Sequence, residues 1–282
     1  QPAVLLKGDF NIGIKMRDCR AILSKADGRL ISISKDGREY MEDSIRPDFW
    51  RAPTDNDGGN GNTERWAQWK LASLYQRCEE ITVDAENGWI STKFRLSTTP
   101  VTYCYVNYQC SYDNRIDITV QLEQNEALEM PCMGWVCRLK KEFDHLRWYG
   151  NCQQEAYLDR RSGKRLGITE GVVAEQYVPY LNPQENGNKT DLRYFIVKTE
   201  DGRGLKVSGE IPFEASALPY TSHEMENAAN IACLPVSQCT VLGVYSKKSG
   251  VGGDDSWGAP VEEACIVHPN DTDCFTVGIE II

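Results

Sequence analysis

Long apolar runs are missing from this 282-residue chain; none approaches the roughly 18 residues that a membrane-spanning helix needs. Excess positive charge is missing too. Lys and Arg total 31 against 41 Asp and Glu, and the net charge of −10 argues against nucleic acid and anionic membrane surfaces as partners. Histidine is scarce, with only His145, His223 and His268. The 11 cysteines form no Cys-x-x-Cys pair. Cys132 and Cys137 lack a matching second pair or a nearby histidine, which argues against zinc. No Pro/Ser-rich linker, low-complexity tract or internal repeat divides the chain, so residues 1–282 read as a single domain. A basic-then-apolar leader is also missing, and the chain opens on Gln1 without Met; it reads as a piece of something larger.

What is present is alternation. Ile116, Ile118, Val120 and Leu122 are spaced by polar residues, as are Phe275, Val277, Ile279 and Ile281. That period of two marks half-buried strands. Further strands are expected over 81–85, 89–96, 101–110, 192–199, 204–209, 213–218 and 239–246, with hairpin turns at Asp27-Gly28 and Asp36-Gly37. One helix is expected, over 63–77, with Thr63 as N-cap, Glu64 in the first turn and Trp66, Trp69 and Leu74 facing inward. More than a dozen strands with one short helix predict an all-β fold, a large antiparallel two-sheet sandwich. Most cysteines read as reduced core thiols, Cys104 and Cys265 among them in strand-like apolar runs. This leans toward a reducing, cytoplasmic compartment and leaves a periplasmic one open.

Two glycine-rich loops carry the chemistry. In Gly250-Val251-Gly252-Gly253-Asp254-Asp255-Ser256-Trp257-Gly258, a tryptophan sits beside two carboxylates. An indole face stacks on the C–H face of a pyranose while carboxylates accept from hydroxyls. The alternative is a Trp folded onto the core with Asp254 and Asp255 solvated, or holding the loop through backbone N–H groups. The second segment runs from Asp55, Asn56, Asp57 and Gly58 to Asn62. It reads as a polar loop in which Gly58 and Gly59 give hinge freedom. Its oxygens invite a calcium reading, but the EF-hand pattern fails because Trp66 falls where the closing glutamate belongs. Glu185-Asn186-Gly187 reads as a turn, with a buried Glu185–Arg193 ion pair expected. Glu155, Asp159 and Arg160 read as loop-anchoring charges.

Six blocks in order resemble the large bacterial β-galactosidases of glycoside hydrolase family 2, in their C-terminal small-chain domain. They are Trp50-Arg51-Ala52-Pro53-Thr54-Asp55-Asn56-Asp57; Glu64-Arg65-Trp66 to Trp69-Lys70; Trp148-Tyr149-Gly150 with Gln154-Glu155-Ala156-Tyr157-Leu158-Asp159-Arg160; Tyr180 to Pro183-Gln184-Glu185-Asn186-Gly187 with Arg193; Tyr220-Thr221-Ser222-His223; and the GGDDSW stretch ending at Trp257. Asn151-Cys152-Gln153 departs from the usual Gly-Pro.

The resemblance implies the supersandwich shared with galactose mutarotases. It also implies a retaining hydrolysis of terminal β-D-galactosides. Its two glutamates, about 5–5.5 Å apart, and its Mg2+ belong to a TIM-barrel domain that is not read in this chain. The chain then supplies no catalytic residue and no cofactor site. Trp257 walls the sugar pocket, with Asp254, Asp255, Asn56 and Asp57 beside the sugar. Arg51, Asp55, Gly58, Glu155, Arg160, Glu185, Asn186 and Arg193 support the loops. The partners implied are a β-galactoside, the TIM-barrel domain and further copies of the parent. Two other readings stay open. One is a stand-alone carbohydrate-binding module using Trp50, Trp135 or Trp148 on a groove. The other is an aldose 1-epimerase-like enzyme using a glutamate base and one of the three histidines.

Overall fold

The computed structural model describes residues 1–123, 129–151, 155–255, 258–269 and 274–282. Strands β1 (Val4–Lys7), β2 (Asn11–Lys15), β3 (Cys19–Ser24), β4 (Leu30–Lys35), β5 (Arg38–Glu39) and β6 (Met41–Asp48) open the chain. Helices α1 (Asp55–Asn60), α2 (Asn62–Arg65) and α3 (Ala67–Leu74) follow. Next come β7 (Gln76–Asp84), β8 (Trp89–Leu96), β9 (Tyr103–Ser111), β10 (Arg115–Leu122), β11 (Cys132–Lys140), β12 (His145–Asn151) and β13 (Leu166–Val172). Helix α4 (Val173–Gln176) leads into β14 (Lys189–Lys198) and β15 (Gly204–Leu218). Helix α5 (Ser222–Asn227) precedes β16 (Cys239–Lys248) and β17 (Cys274–Ile281).

The fold is the antiparallel sandwich expected from the alternation, in the supersandwich form that the resemblance implies. Its two wings meet at β15. The first part of β15 pairs with β17 (Leu205↔Ile281), which continues through β10, β9, β8 and β7. The last part leaves β17 and pairs with β16 (Leu218↔Val241), continuing through β11 and β6. The expected strands over 204–209 and 213–218 are therefore one strand that changes partners. One continuous apolar core lies inside, with Ile90, Phe94, Val106, Ile118, Trp135 and Phe195 among its residues. Inward residues of β8, β9 and β10 alternate with outward ones, which is the pattern the sequence displayed. The turn at Asp36-Gly37 has both residues at positive φ, +52° and +76°, the geometry that matches hairpin twist.

Residues 55–62 correct the loop reading. Thr54 accepts from the Asp57 amide while Asp57 reaches back to the Thr54 amide, a capping box that starts α1. Gly61, at φ +79°, ends it. The left-handed glycine is thus Gly61, and Gly58 lies within a helical turn, not in a hinge. The single helix expected over 63–77 is likewise broken. Thr63 lies inside α2, whose N-cap is Gly61, and Trp66 both closes α2 and opens α3. Trp66 and Trp69 face the core as expected, with their indole N–H groups donating to Glu129, while Leu74 is half-buried. Ten described cysteines are free thiols, and Cys104, Cys132 and Cys137 are buried in strands, where burial pushes the thiol up. Cys265 is half-buried in a 3-10 turn instead of a strand.

Candidate functional site

The first foot of the 250–258 loop rests on α1. Arg51 and Asp57 form a buried two-pronged ion pair at 2.7 and 3.1 Å. Arg51 Nη2 also donates to the Gly250 carbonyl at 3.0 Å, and its guanidinium lies over the Trp66 ring. Burial works against the ionised Asp57 carboxyl, yet Arg51, the Asn62 amide and the Thr54 backbone hold it below the usual carboxylate range. Arg51 is held above its ordinary value, because its carboxylate neighbours outweigh the burial that opposes its charge. Asn56 Nδ2 donates to the Val251 carbonyl at 3.1 Å. From the other side, the Gly252 N–H donates to Asp159 Oδ2 at 2.7 Å.

The second foot also reaches α1. A Cβ placed on Gly258, at φ +73°, would lie 2.7 Å from the Gly59 carbonyl carbon, so only glycine permits this approach. Asp255 Oδ1 accepts from the Ala259 N–H at 3.0 Å, in line with the expected loop-holding role, and Asp254 is exposed. Ser256 and Trp257 lie outside the described residues.

Beneath the loop is a buried polar layer. Glu185 takes a 2.6 Å ion pair from Lys248 and a bond from the Tyr157 hydroxyl. This corrects the expected Glu185–Arg193 pair. Arg193 is exposed and donates to the Asp191 carbonyl, because its strand position points outward. Asn186 is buried, bonded to Val178 N–H and to the Gln184 carbonyl. Glu155 ties Arg160, Tyr180 and the Gly187 N–H together. Asp55 is held by Asn182 and Gln184. Asp55 and Asp57 thus face different partners, and among the described residues no group of three or more His, Cys, Asp or Glu side chains is placed to hold a metal ion. Deeper still, burial raises the Glu214 carboxyl to about 8, only partly offset by Asn188 and Lys248.

Of the residues named from the sequence, Arg51 and Asn56 bond to the loop and Asp57 holds Arg51, whereas Asp55, Glu155, Arg160, Glu185 and Asn186 bond to other segments and Arg193 is exposed. Sequence reasoning missed Lys248, two residues before the loop, and Thr54, whose capping box Thr54-x-x-Asp57 was visible. The groove tryptophans are corrected as well. Trp50, Trp135 and Trp148 are buried, so none offers a sugar a stacking face. The three histidines are spread across the fold beside Asp144, Glu226 and Glu263 respectively.

The family model described as "Beta galactosidase small chain" matches residues 15–279. The "Beta-galactosidase" of Priestia megaterium is 38% identical over 254 residues, which are 89% of this chain and 24% of that protein. The chain thus spans about a quarter of the length of that relative. The "Beta-galactosidase small subunit" of Latilactobacillus sakei is 30% identical over 293 residues, covering 91% of each. Among solved structures, a GalM/aldose epimerase homologue from C. elegans has a TM-score of 0.50 at 10% identity, over 98% of this chain and 97% of that one; this likeness concerns fold alone.

Proposed function

This chain belongs to the β-galactosidase small-chain family, and from that premise we propose that it is the non-catalytic, pocket-wall part of a retaining β-galactosidase. The observation that carries this reading is the double anchoring of the 250–258 loop on α1. Its first foot is held by Arg51, Asn56 and Asp159, and its second packs on Gly59 through Gly258. A segment fixed at both ends can present a side chain at its tip with little entropy left to lose. Trp257 stands between those feet in the sequence, and we assign it the apolar wall against the galactoside, with Asp254 and Asp255 at the rim.

The acid/base and nucleophile carboxylates of such a reaction, and its Mg2+, belong in this proposal to a TIM-barrel partner. That partner is either the remainder of a longer chain or a separate large subunit. Near the loop, the buried carboxylates Asp57 and Glu185 and the half-buried Glu155 are each committed to a cation, which suits scaffold more than acid/base work. The test is hydrolysis of a chromogenic β-galactoside by this chain alone and together with its catalytic partner. The expected result is no turnover alone and strong turnover in the assembly. Turnover by the isolated chain would overturn the reading.

A further inference from the structure

On the outer face of the β6–β11–β16–β15 wing, register places Arg46, Val136, Gly243 and Ser216 in one row across four strands. Gly243 contributes no side chain, and the space above it is taken by the Tyr245 ring, whose hydroxyl donates to Asp48 at 2.8 Å. Arg46 lies at the junction of two neighbouring cavities. His223 and Thr221 line both, and the outer one is an open recess of about 440 Å3 that Arg138 also borders.

Three cations, Arg46, Arg138 and Lys248, and three carboxylates, Asp48, Glu185 and Glu224, line the two cavities. Among the described residues, the Arg46 side chain makes no hydrogen bond or ion pair, although the residue is half-buried. Every carboxylate that lines the two cavities is already engaged: Asp48 by Tyr245, Glu185 by Lys248, and Glu224 by the Thr221 backbone and hydroxyl in the α5 capping box. The acids just behind them are engaged too. Asp43 faces Arg138 at 3.7 Å, and Glu226 takes Lys70, the Trp50 indole and His223. Because a carboxylate only accepts, His223 Nδ1 carries the proton toward Glu226, and Nε2 is the ring nitrogen left over. With no ion-pair partner of its own, the planar fork of Arg46 is available to the oxygens of an external anion.

We propose that this junction binds a small oxyanion, a phosphate monoester or carboxylate on a body of sugar size. Arg46 is the partner of its oxyanion, His223 Nε2 accepts from a hydroxyl of the uncharged body, and the recess holds that body. A planar fork suits two oxygens of such a group, and the recess lies within the usual range of small-ligand pockets. This site is separate from the 250–258 loop, so its failure leaves the pocket-wall reading untouched.

The experiment is calorimetric titration of this chain with inorganic phosphate, a hexose phosphate, galacturonate and uncharged galactose. Saturable binding of at least one anion, none of galactose, and a loss of about 10- to 100-fold in Arg46→Gln are expected. Arg46→Lys, which keeps the charge and loses the fork, is expected to fall between. Tighter binding of the hexose phosphate or galacturonate than of phosphate supports the sugar-sized body, and equal binding removes that part of the proposal. A saturable shift of the His223 ring resonance in the unaltered chain gives a readout that does not depend on a variant folding. No saturable anion binding, or equal affinity in folded Arg46→Gln, would overturn the site.

Discussion

The Arg51 guanidinium and the Asp57 carboxylate meet at 2.7 and 3.1 Å with neither side chain reachable by solvent, and the same arginine holds the Gly250 carbonyl. One buried pair therefore joins the first turn of α1 to the foot of the candidate loop. Removing one member leaves a buried charge without its partner, so Arg51→Leu is expected to cost about 3–5 kcal/mol in denaturant unfolding. A cost under about 1 kcal/mol would show that the pair is dispensable to the fold.

Gly258 tests the second foot. Gly258→Ala forces a side chain into positive φ and against the Gly59 backbone. Because the foot lies outside the core, the unfolding midpoint is expected to change little. In the assembled enzyme, galactoside KM is expected to rise. Unchanged kinetics would mean that the docking of this foot is irrelevant to the pocket.

Trp257→Ala in the assembled enzyme is expected to weaken substrate binding by about 1–3 kcal/mol, the scale of one lost stacking surface. The comparison to make is KM and kcat for a chromogenic β-galactoside. If both stay at their original values, Trp257 does not wall the pocket.

Glu185 discriminates between its expected and observed partners. Lys248→Met leaves Glu185 buried and uncompensated, with an expected loss of about 3–5 kcal/mol, whereas Arg193→Ala stays within about 0.5 kcal/mol. Thermal and denaturant unfolding of the two variants side by side would expose a reversed order.

Glu214 gives a pH signature. Its carboxyl titrates near about 8 in the fold and near 4.5 in the unfolded chain. The native state therefore holds this proton more tightly, and the associated stability is complete below 4.5. It declines as pH rises from 4.5 to about 8 and is then constant. Glu214→Gln removes this titration, so the stability difference between variant and original chain is expected to move in the variant's favour across that window. A pH-independent difference would place the Glu214 carboxyl near its ordinary value.

Much of this protein could be read without coordinates. Alternation in 89–96, 115–122 and 274–281 fixed strands because a period of two puts one set of side chains inside and the other in water. The ordered blocks from Trp50 to Trp257 pointed to the family, and of the quoted supporting residues Arg51 bonds directly to the 250–258 loop. Strands such as β11 escaped notice because its first four residues are all buried, and a strand enclosed on both faces does not alternate. The partner of Glu185 was decided in three dimensions. Lys248 lies 63 positions away and reaches it only because β16 ends beneath the loop. The helix at 55–60 was decided there too, since its six residues include two glycines and its inward Asp57 is secured by Arg51 and Asn62. Local patterns determine which face of a segment is apolar; only the closed fold determines which buried charge meets which, because that depends on distances the sequence does not contain.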